Sequence, residues 1–217
     1  MEFTQRIDGL IGEEKYIKML ETKDLSRLLV VSDSHGETPA LKSIIKNFGK
    51  TCDALIFCGD GLCDIARILN NCNLDEELKN SIPPVIALVR GNCDPSSYPV
   101  TKEFFITAPD SQTLKVNGQN IMIFHGHKEG VKYGINALGF AKRDENCKTF
   151  FYGHTHVARE LHEGDFTFIN PGSCSCPRSG QPPSFAIATI GKTFISTSFI
   201  KINYESADKR FSTWQPF

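Results

Sequence analysis

The chain has 217 residues, 40% of them hydrophobic and 23% charged, which excludes a disordered or fibrous protein and leaves one compact domain over 1-217 as the expectation. Its 24 Lys plus Arg against 25 Asp plus Glu give a formal net charge of −1, so there is no global positive field to gather nucleic acid or an anionic membrane surface.

The first stretch, MEFTQRIDGLIGEEKYIKML, is charged throughout and lacks the apolar run of a signal peptide. The longest apolar runs fall far short of the roughly 20 residues needed to cross a bilayer. The eight cysteines, with no export signal, read as reduced thiols, and the Cys174-Ser-Cys176 spacing suits packing better than zinc or redox chemistry. A cytoplasmic protein follows, without a membrane or nucleic-acid partner.

Ile7, Leu10, Ile11, Ile17 and Leu20 recur at roughly helical spacing, so residues 1–26 read as an accessory helical extension, weakened by Gly9 and Gly12. Such an extension could serve a homo-oligomer interface. Leu28–Val31 is a buried strand ending in Asp33-Ser-His35-Gly, with a helix expected from about Pro39 to Phe48. Ala54–Cys58 repeats the pattern, ending at Gly59-Asp60-Gly61 before a helical stretch through Ile65, Ile68 and Leu69. A third strand, Pro84–Arg90, ends at Gly91-Asn92-Cys93-Asp94. Strands alternating with helices imply a mostly parallel sheet.

Beyond Asp94 the texture changes. Lys115–Phe124 reads as a hairpin with a type I′ turn at Asn117-Gly118, and its second strand ends at His125-Gly-His127. A helix is expected over Ile135–Arg143, then a buried strand Thr149–Tyr152 ending at Gly153-His154-Thr-His156. Hairpins Glu160–Asn170 and Phe185–Ile200, turning at Gly164-Asp165 and Gly191-Lys192, give the C-terminal half a more antiparallel sheet.

Five apolar runs thus end in groups that bind metal: Asp33 and His35; Asp60; Asn92; His125 and His127; His154 and His156. The carboxyl ends of the strands in an open α/β sheet gather along one edge, so these turns converge in space. Imidazole, carboxylate and amide ligands suit manganese, iron, zinc and similar ions such as nickel or cobalt better than calcium. Two such ions about 3.5–4 Å apart clamp a phosphate and bring the pKa of a bridging water toward ~7. His162 lies outside every motif and reads as surface.

Asp33-Ser-His35, Gly59-Asp60, Gly91-Asn92-Cys-Asp94, His125-Gly-His127 and Gly153-His154-Thr-His156 resemble, in order, the five motifs of the calcineurin-like metallophosphoesterases. Asn170-Pro-Gly-Ser173 further resembles their small bacterial and archaeal phosphodiesterase branch, although by itself it reads as shaping a loop. The resemblance implies an α/β fold, a four-layered α/β/β/α sandwich of two mixed sheets. It implies two divalent cations, manganese first: one held by Asp33, His35 and His156, the other by Asn92, His125 and His154, with Asp60 bridging. The catalytic set expected beside them is Asn92, His127 and Asp94, with Asp94, like Asp64, standing behind the ligands and a turn-capping role as the alternative for His127. Many members carry histidine after the motif asparagine, where this chain and the phosphodiesterase branch have Cys93. A thiol of ordinary pKa suits leaving-group protonation poorly, so Cys93 reads as a small residue under the metals and His127 as the substitute.

The activity implied is hydrolysis of a small phosphate ester, a diester first, by metal-activated hydroxide. The alternatives are a phosphomonoesterase of the same superfamily and a scaffold of the same fold that has lost turnover. The loops Ser96–Lys102 and Cys174–Pro183 set the substrate.

Overall fold

The computed structural model describes residues 3–136, 139, 146–205 and 210–217. In chain order the elements are β1 (Ile11–Gly12), α1 (Glu14–Thr22), β2 (Leu25–Val31), α2 (Thr38–Phe48), β3 (Ala54–Phe57), α3 (Leu62–Asn71), α4 (Glu76–Ser81), β4 (Val85–Leu88), β5 (Ser97–Pro99) and β6 (Phe105–Thr107). There follow β7 (Ser111–Val116), β8 (Gln119–Phe124), β9 (Cys147–Phe151), β10 (Arg159–Glu163), β11 (Phe166–Asn170), β12 (Ser184–Gly191), β13 (Ile195–Ile202) and β14 (Phe211–Trp214).

Two mixed sheets carry the fold, one ordered β1-β4-β3-β2-β12-β13-β14 and the other β10-β11-β9-β8-β7, with β5 and β6 as a separate ribbon. In the first sheet β2, β3 and β4 run parallel, because α2 and α3 supply the crossovers that parallel neighbours require. Alternate residues of these strands divide the core. Leu29, Val31, Leu55, Phe57, Ile86 and Leu88 pack against Leu41, Ile44 and Ile45 of α2 and Ile65 and Leu69 of α3. Leu28, Val30, Ala54, Ile56 and Ala87 face Leu114, Ile121, Ile123, Phe151 and Ile169 of the second sheet. The outer face of that sheet carries Met122, Phe124, Phe150 and Phe168, covered by Val131. Most of the helix expected over Ile135–Arg143 lies outside the described residues.

The expected strands and the first two helices form close to their predicted bounds. Asn117 (φ 52°) and Gly118 (φ 79°) adopt the left-handed conformations of the type I′ turn, which the carboxamide of Asn tolerates and a β-branched residue would not. Their N–H groups also donate to the Leu20 and Glu21 carbonyls, closing the C-terminal end of α1.

Three features differ from the sequence-based expectation. The accessory extension is helical only over α1: Gly9 (φ 88°) and Gly12 (φ 144°) turn the preceding residues into β1, which pairs antiparallel with β4, and Ile7 points to solvent. The Phe185–Ile200 hairpin does not extend the second sheet. β12 pairs antiparallel with β2 in the first, because it is apolar on both faces: Phe185 and Ile187 meet the helices, Ala186 and Ala188 the second sheet. The second sheet is mixed, as the resemblance implies, with β8, β9 and β11 parallel at its centre. Helix α4 was missed, although its signal is present: Asp75 accepts from the Leu78 N–H at 3.0 Å as an N-cap, followed by Glu76 and Glu77. Among the described residues no helix is long and apolar enough to cross a membrane.

Buried Asn117 accepts from Ser26 Oγ at 2.9 Å and donates to the Ile190 carbonyl at 2.5 Å, tying the β7–β8 turn to the first sheet. Asn117→Ala strands both partners and keeps the left-handed strain. A loss of about 2–4 kcal/mol in urea unfolding is expected, and a loss below about 0.5 kcal/mol would show that the turn does not depend on this side chain.

Candidate metal centre

Each predicted ligand lies one to five residues past the carboxyl end of a strand: Asp33 and His35 after β2, Asp60 after β3, Asn92 after β4, His125 directly after β8, and His154 and His156 after β9. The turns are sharp. Asp33 (φ 54°), His35 (φ 45°), Asp60 (φ 56°), His154 (φ 68°) and His156 (φ 59°) are five of the seven non-glycine residues with positive φ among the described residues. Each left-handed residue costs roughly 1–2 kcal/mol, so the segments are held in a strained shape that folds the side chains inward.

The side chains converge accordingly. His156 Nε2 lies 3.2 Å from Asp33 Oδ1 and 3.1 Å from His35 Nε2, and His35 Nε2 is 3.7 Å from Asp60 Oδ2. On the other side His125 Nε2 is 3.4 Å from Asp60 Oδ2 and 4.0 Å from Asp33 Oδ1. Three overlapping groups have all their ligand atoms within 4.8 Å of one another: Asp33-His35-His156, Asp33-Asp60-His125 and His35-Asp60-Cys93. His154 stands at the margin, its ring 5.1 Å from that of His125 and its backbone N–H on Asp33 Oδ2 at 3.1 Å. Asn92 is tied in through its neighbour: Cys93 N–H donates to Asp60 Oδ1 at 2.8 Å, while the exposed Asn92 amide donates to Cys93 Sγ at 3.2 Å.

Several outward atoms of the ligands are fixed by hydrogen bonds, and two inward atoms are bare. His125 Nδ1 bonds the Cys58 carbonyl at 2.7 Å and His156 Nδ1 the Cys176 carbonyl at 2.6 Å, so each Nδ1 carries the proton and each Nε2 presents a lone pair. Asp33 Oδ2 accepts from Ser32 Oγ at 2.5 Å. Asp33 Oδ1 and His125 Nε2, both fully buried, have no hydrogen-bond partner. Buried polar atoms left this way are costly unless a ligand satisfies them. Burial opposes the charged forms here, yet Asp60 stays well below the ordinary carboxylate range because His125 and the Cys93 N–H face it. Burial likewise works against raised pKa values at His125 and His156, and the adjacent carboxylates of Asp60 and Asp33 outweigh it. A carboxylate pair, open Nε2 lone pairs and orphaned buried acceptors fit divalent cations of the borderline kind.

A further layer of carboxylates holds the turns. Asp94 accepts four backbone N–H groups, from Asp60 at 2.7 Å, Gly61 at 2.9 Å, Leu62 at 2.8 Å and Gly91 at 2.9 Å. Both its oxygens are thus bonded to the backbone of the Asp60 and Gly91 turns. Buried Asp64 does the same for the Asp33–His35 turn through Ser34 Oγ, the Gly36 N–H and Thr38 Oγ1. Asn170 bonds the Gly153 carbonyl and Thr155 Oγ1, while Ser173 Oγ bonds the Asp33 carbonyl at 2.7 Å. Cys93 is exposed rather than tucked beneath the ligands, and burial of its sulfur followed by the charge of Asp60 pushes its thiol up to about 11. His127 Nδ1 is buried without a partner, its ring 5.5 Å from His125 and 6.2 Å from His154. His162 is paired with Glu160 and Thr167 away from the centre.

Parallel-centred strands ending in one histidine and aspartate cluster define an α/β protein built around a metal site. The chain belongs to the calcineurin-like phosphoesterase superfamily, whose domain matches residues 27–193. It is 31% identical over 169 residues to phosphodiesterase YfcE of Escherichia coli strain K12, covering 75% of this chain and 87% of that protein. It is 30% identical over 166 residues to the probable metallophosphoesterase YsnB of Bacillus subtilis strain 168, covering 75% and 83%. A predicted phosphoesterase from Streptococcus pneumoniae TIGR4 shares the fold with a TM-score of 0.62, at 23% identity over 89% of this chain and 99% of that one.

Asp94→Ala releases four backbone donors and lets Asp60 move, so manganese affinity should fall roughly 10–100-fold by calorimetry. An unchanged affinity would remove Asp94 from the support of the site. In the metal-free protein His125 and His156 hold protons to higher pH than an ordinary imidazole, and a protonated imidazole does not ligate. Uptake of a divalent cation should therefore strengthen as pH rises past the ordinary imidazole range and release protons. Binding heats at neutral pH that do not vary with the ionisation enthalpy of the buffer would contradict this.

Proposed function

We propose that the protein is a metal-dependent phosphodiesterase acting on small phosphate esters. The observation that carries the reading is the cluster of Asp33, His35, Asp60, His125 and His156, in which Asp33 Oδ1 and His125 Nε2 are buried without a partner while backbone carbonyls hold Nδ1 of His125 and His156. Asp33, His35 and His156 would hold one divalent cation, Asn92, His125 and His154 a second, and Asp60 both. Manganese is the ion we favour, with iron, zinc, nickel and cobalt compatible with the same donors. When bound, a cation pair supplies Lewis acidity toward water and neutralises charge on a phosphoryl group.

The remaining chemistry falls to the chain. Asp60 presents Oδ2 to the imidazoles while the Cys93 N–H steadies Oδ1. With its thiol pushed up to about 11, Cys93 is poorly matched to general acid–base work near neutral pH. His127 stands beside the leaving group as a hydrogen-bond donor and not as an acid. Burial and the nearby His125 lower its pKa, so it acts as a neutral imidazole whose N–H steadies the leaving-group oxygen. This favours esters with stabilised leaving groups. The 31% identity to a protein named a phosphodiesterase supports the diester over the monoester.

Metal-stripped protein should hydrolyse bis-p-nitrophenyl phosphate after manganese is added, faster than p-nitrophenyl phosphate, and Asp60→Asn should abolish the activity. No turnover of either ester by metal-loaded protein would leave a binding scaffold as the better reading. His127→Ala should slow hydrolysis of an alkyl ester more than that of a nitrophenyl ester. Equal slowing would take His127 off the leaving group.

A further inference from the structure

The segment after β11 is bolted to the metal centre at several points. Ser173 Oγ and Ser175 Oγ both donate to the Asp33 carbonyl, at 2.7 and 3.0 Å, and the Cys176 carbonyl faces His156 Nδ1. The Arg178 N–H then donates to the carbonyl of His156 at 3.1 Å. The turn closes through the Gln181 N–H on the Arg178 carbonyl, with Ser179 (φ 56°) and Gly180 (φ 71°) left-handed between them. Buried Gln181 grips Ala158 from both sides, accepting its N–H at 2.6 Å and donating to its carbonyl at 3.1 Å. Arg178 is therefore an exposed residue on a fixed backbone, one hydrogen bond away from a candidate metal ligand.

Its charge is also uncompensated. Arg90 and Lys128, which flank Asn92 and His127, both rest on Asp110, and Arg67 lies 3.7 Å from Asp64. The guanidinium of Arg178 has no ion pair or side-chain hydrogen bond among the described residues. Solvated arginines are common on protein surfaces, but this one stands on a main chain held by His156 on one side and by Gln181 on the other. A planar, permanently charged fork with five donors at that rim matches the oxygens of a phosphate.

We propose that Arg178 is a substrate-binding residue that grips the non-bridging oxygens of the phosphate ester; this rests on the phosphoesterase reading above. The guanidinium adds affinity for the phosphoryl group that the metal ligands do not supply, and it selects for an anionic ester over a neutral one.

The test compares wild type, Arg178→Ala and Arg178→Lys, each loaded with manganese. Hydrolysis of bis-p-nitrophenyl phosphate is measured with inorganic phosphate as competitive inhibitor, alongside manganese content and thermal melting. For Arg178→Ala we expect KM and the phosphate inhibition constant to rise together about tenfold, a charge-assisted hydrogen bond's worth, with a smaller fall in kcat and unchanged metal content. Arg178→Lys should recover part of the loss. KM and phosphate inhibition within twofold of wild type in Arg178→Ala would overturn the proposal while leaving the phosphoesterase reading intact. So would loss of bound manganese in that variant, which would assign Arg178 to supporting the site. A wild type that neither hydrolyses the ester nor binds phosphate would overturn both readings.

Discussion

Two carboxylates, Asp33 and Asp60, are buried within a few ångströms of the same imidazoles, and much of the surrounding structure serves to make that arrangement tolerable. Isolated buried charge is among the most costly features a fold can contain. Here the cost is met on the outward side by hydrogen bonds from Ser32, the His154 N–H and the Cys93 N–H, and on the inward side by imidazoles. The inward compensation is incomplete, as the partnerless Asp33 Oδ1 shows. A site organised this way is already shaped for cations before they arrive, so binding them need not include rebuilding the turns.

The two sheets make the convergence possible. Parallel β2, β3 and β4 end at one edge of the first sheet, and parallel β8 and β9 end at the matching edge of the second. The small residues Ala54, Ala87, Ala186 and Ala188 line the face between the sheets. His125 and the 153–156 turn come from one sheet, while Asp33, His35 and Asp60 come from the other. The metal centre is thus a seam, and the Cys58 carbonyl reaching His125 Nδ1 is a stitch across it.

The strand ends were legible in the sequence because each is a local event: an apolar run stops and an aspartate, asparagine or histidine begins. The pairing of strands was not. β12 reads as half of a C-terminal hairpin, and its place beside β2 is set by the need to cover both of its apolar faces, a long-range condition that no local period records. Helix α4 escaped because it buries Leu78 and Ser81 alone and offers no periodic face. Asp94 was recognised as near the site, but its part depends on the four N–H groups around it, which a motif does not reveal. Arg178 lay in a loop flagged for substrate recognition, and its fixed backbone emerged only from the bonds to His156 and Gln181.

Strand β1, which pairs with β4, lies outside the matched superfamily domain. Its consequence is for the behaviour of the protein in a crowded solution. β4 is a short, wholly apolar strand, and its free side would offer unpaired N–H and C=O groups to any extended chain it met. β1 occupies part of that side with two residues, and Gly12 sits so close to the Pro84 carbonyl that a Cβ there would lie 2.4 Å from it. The N-terminal segment thereby covers part of the edge of the sheet that carries Asp33 and Asp60.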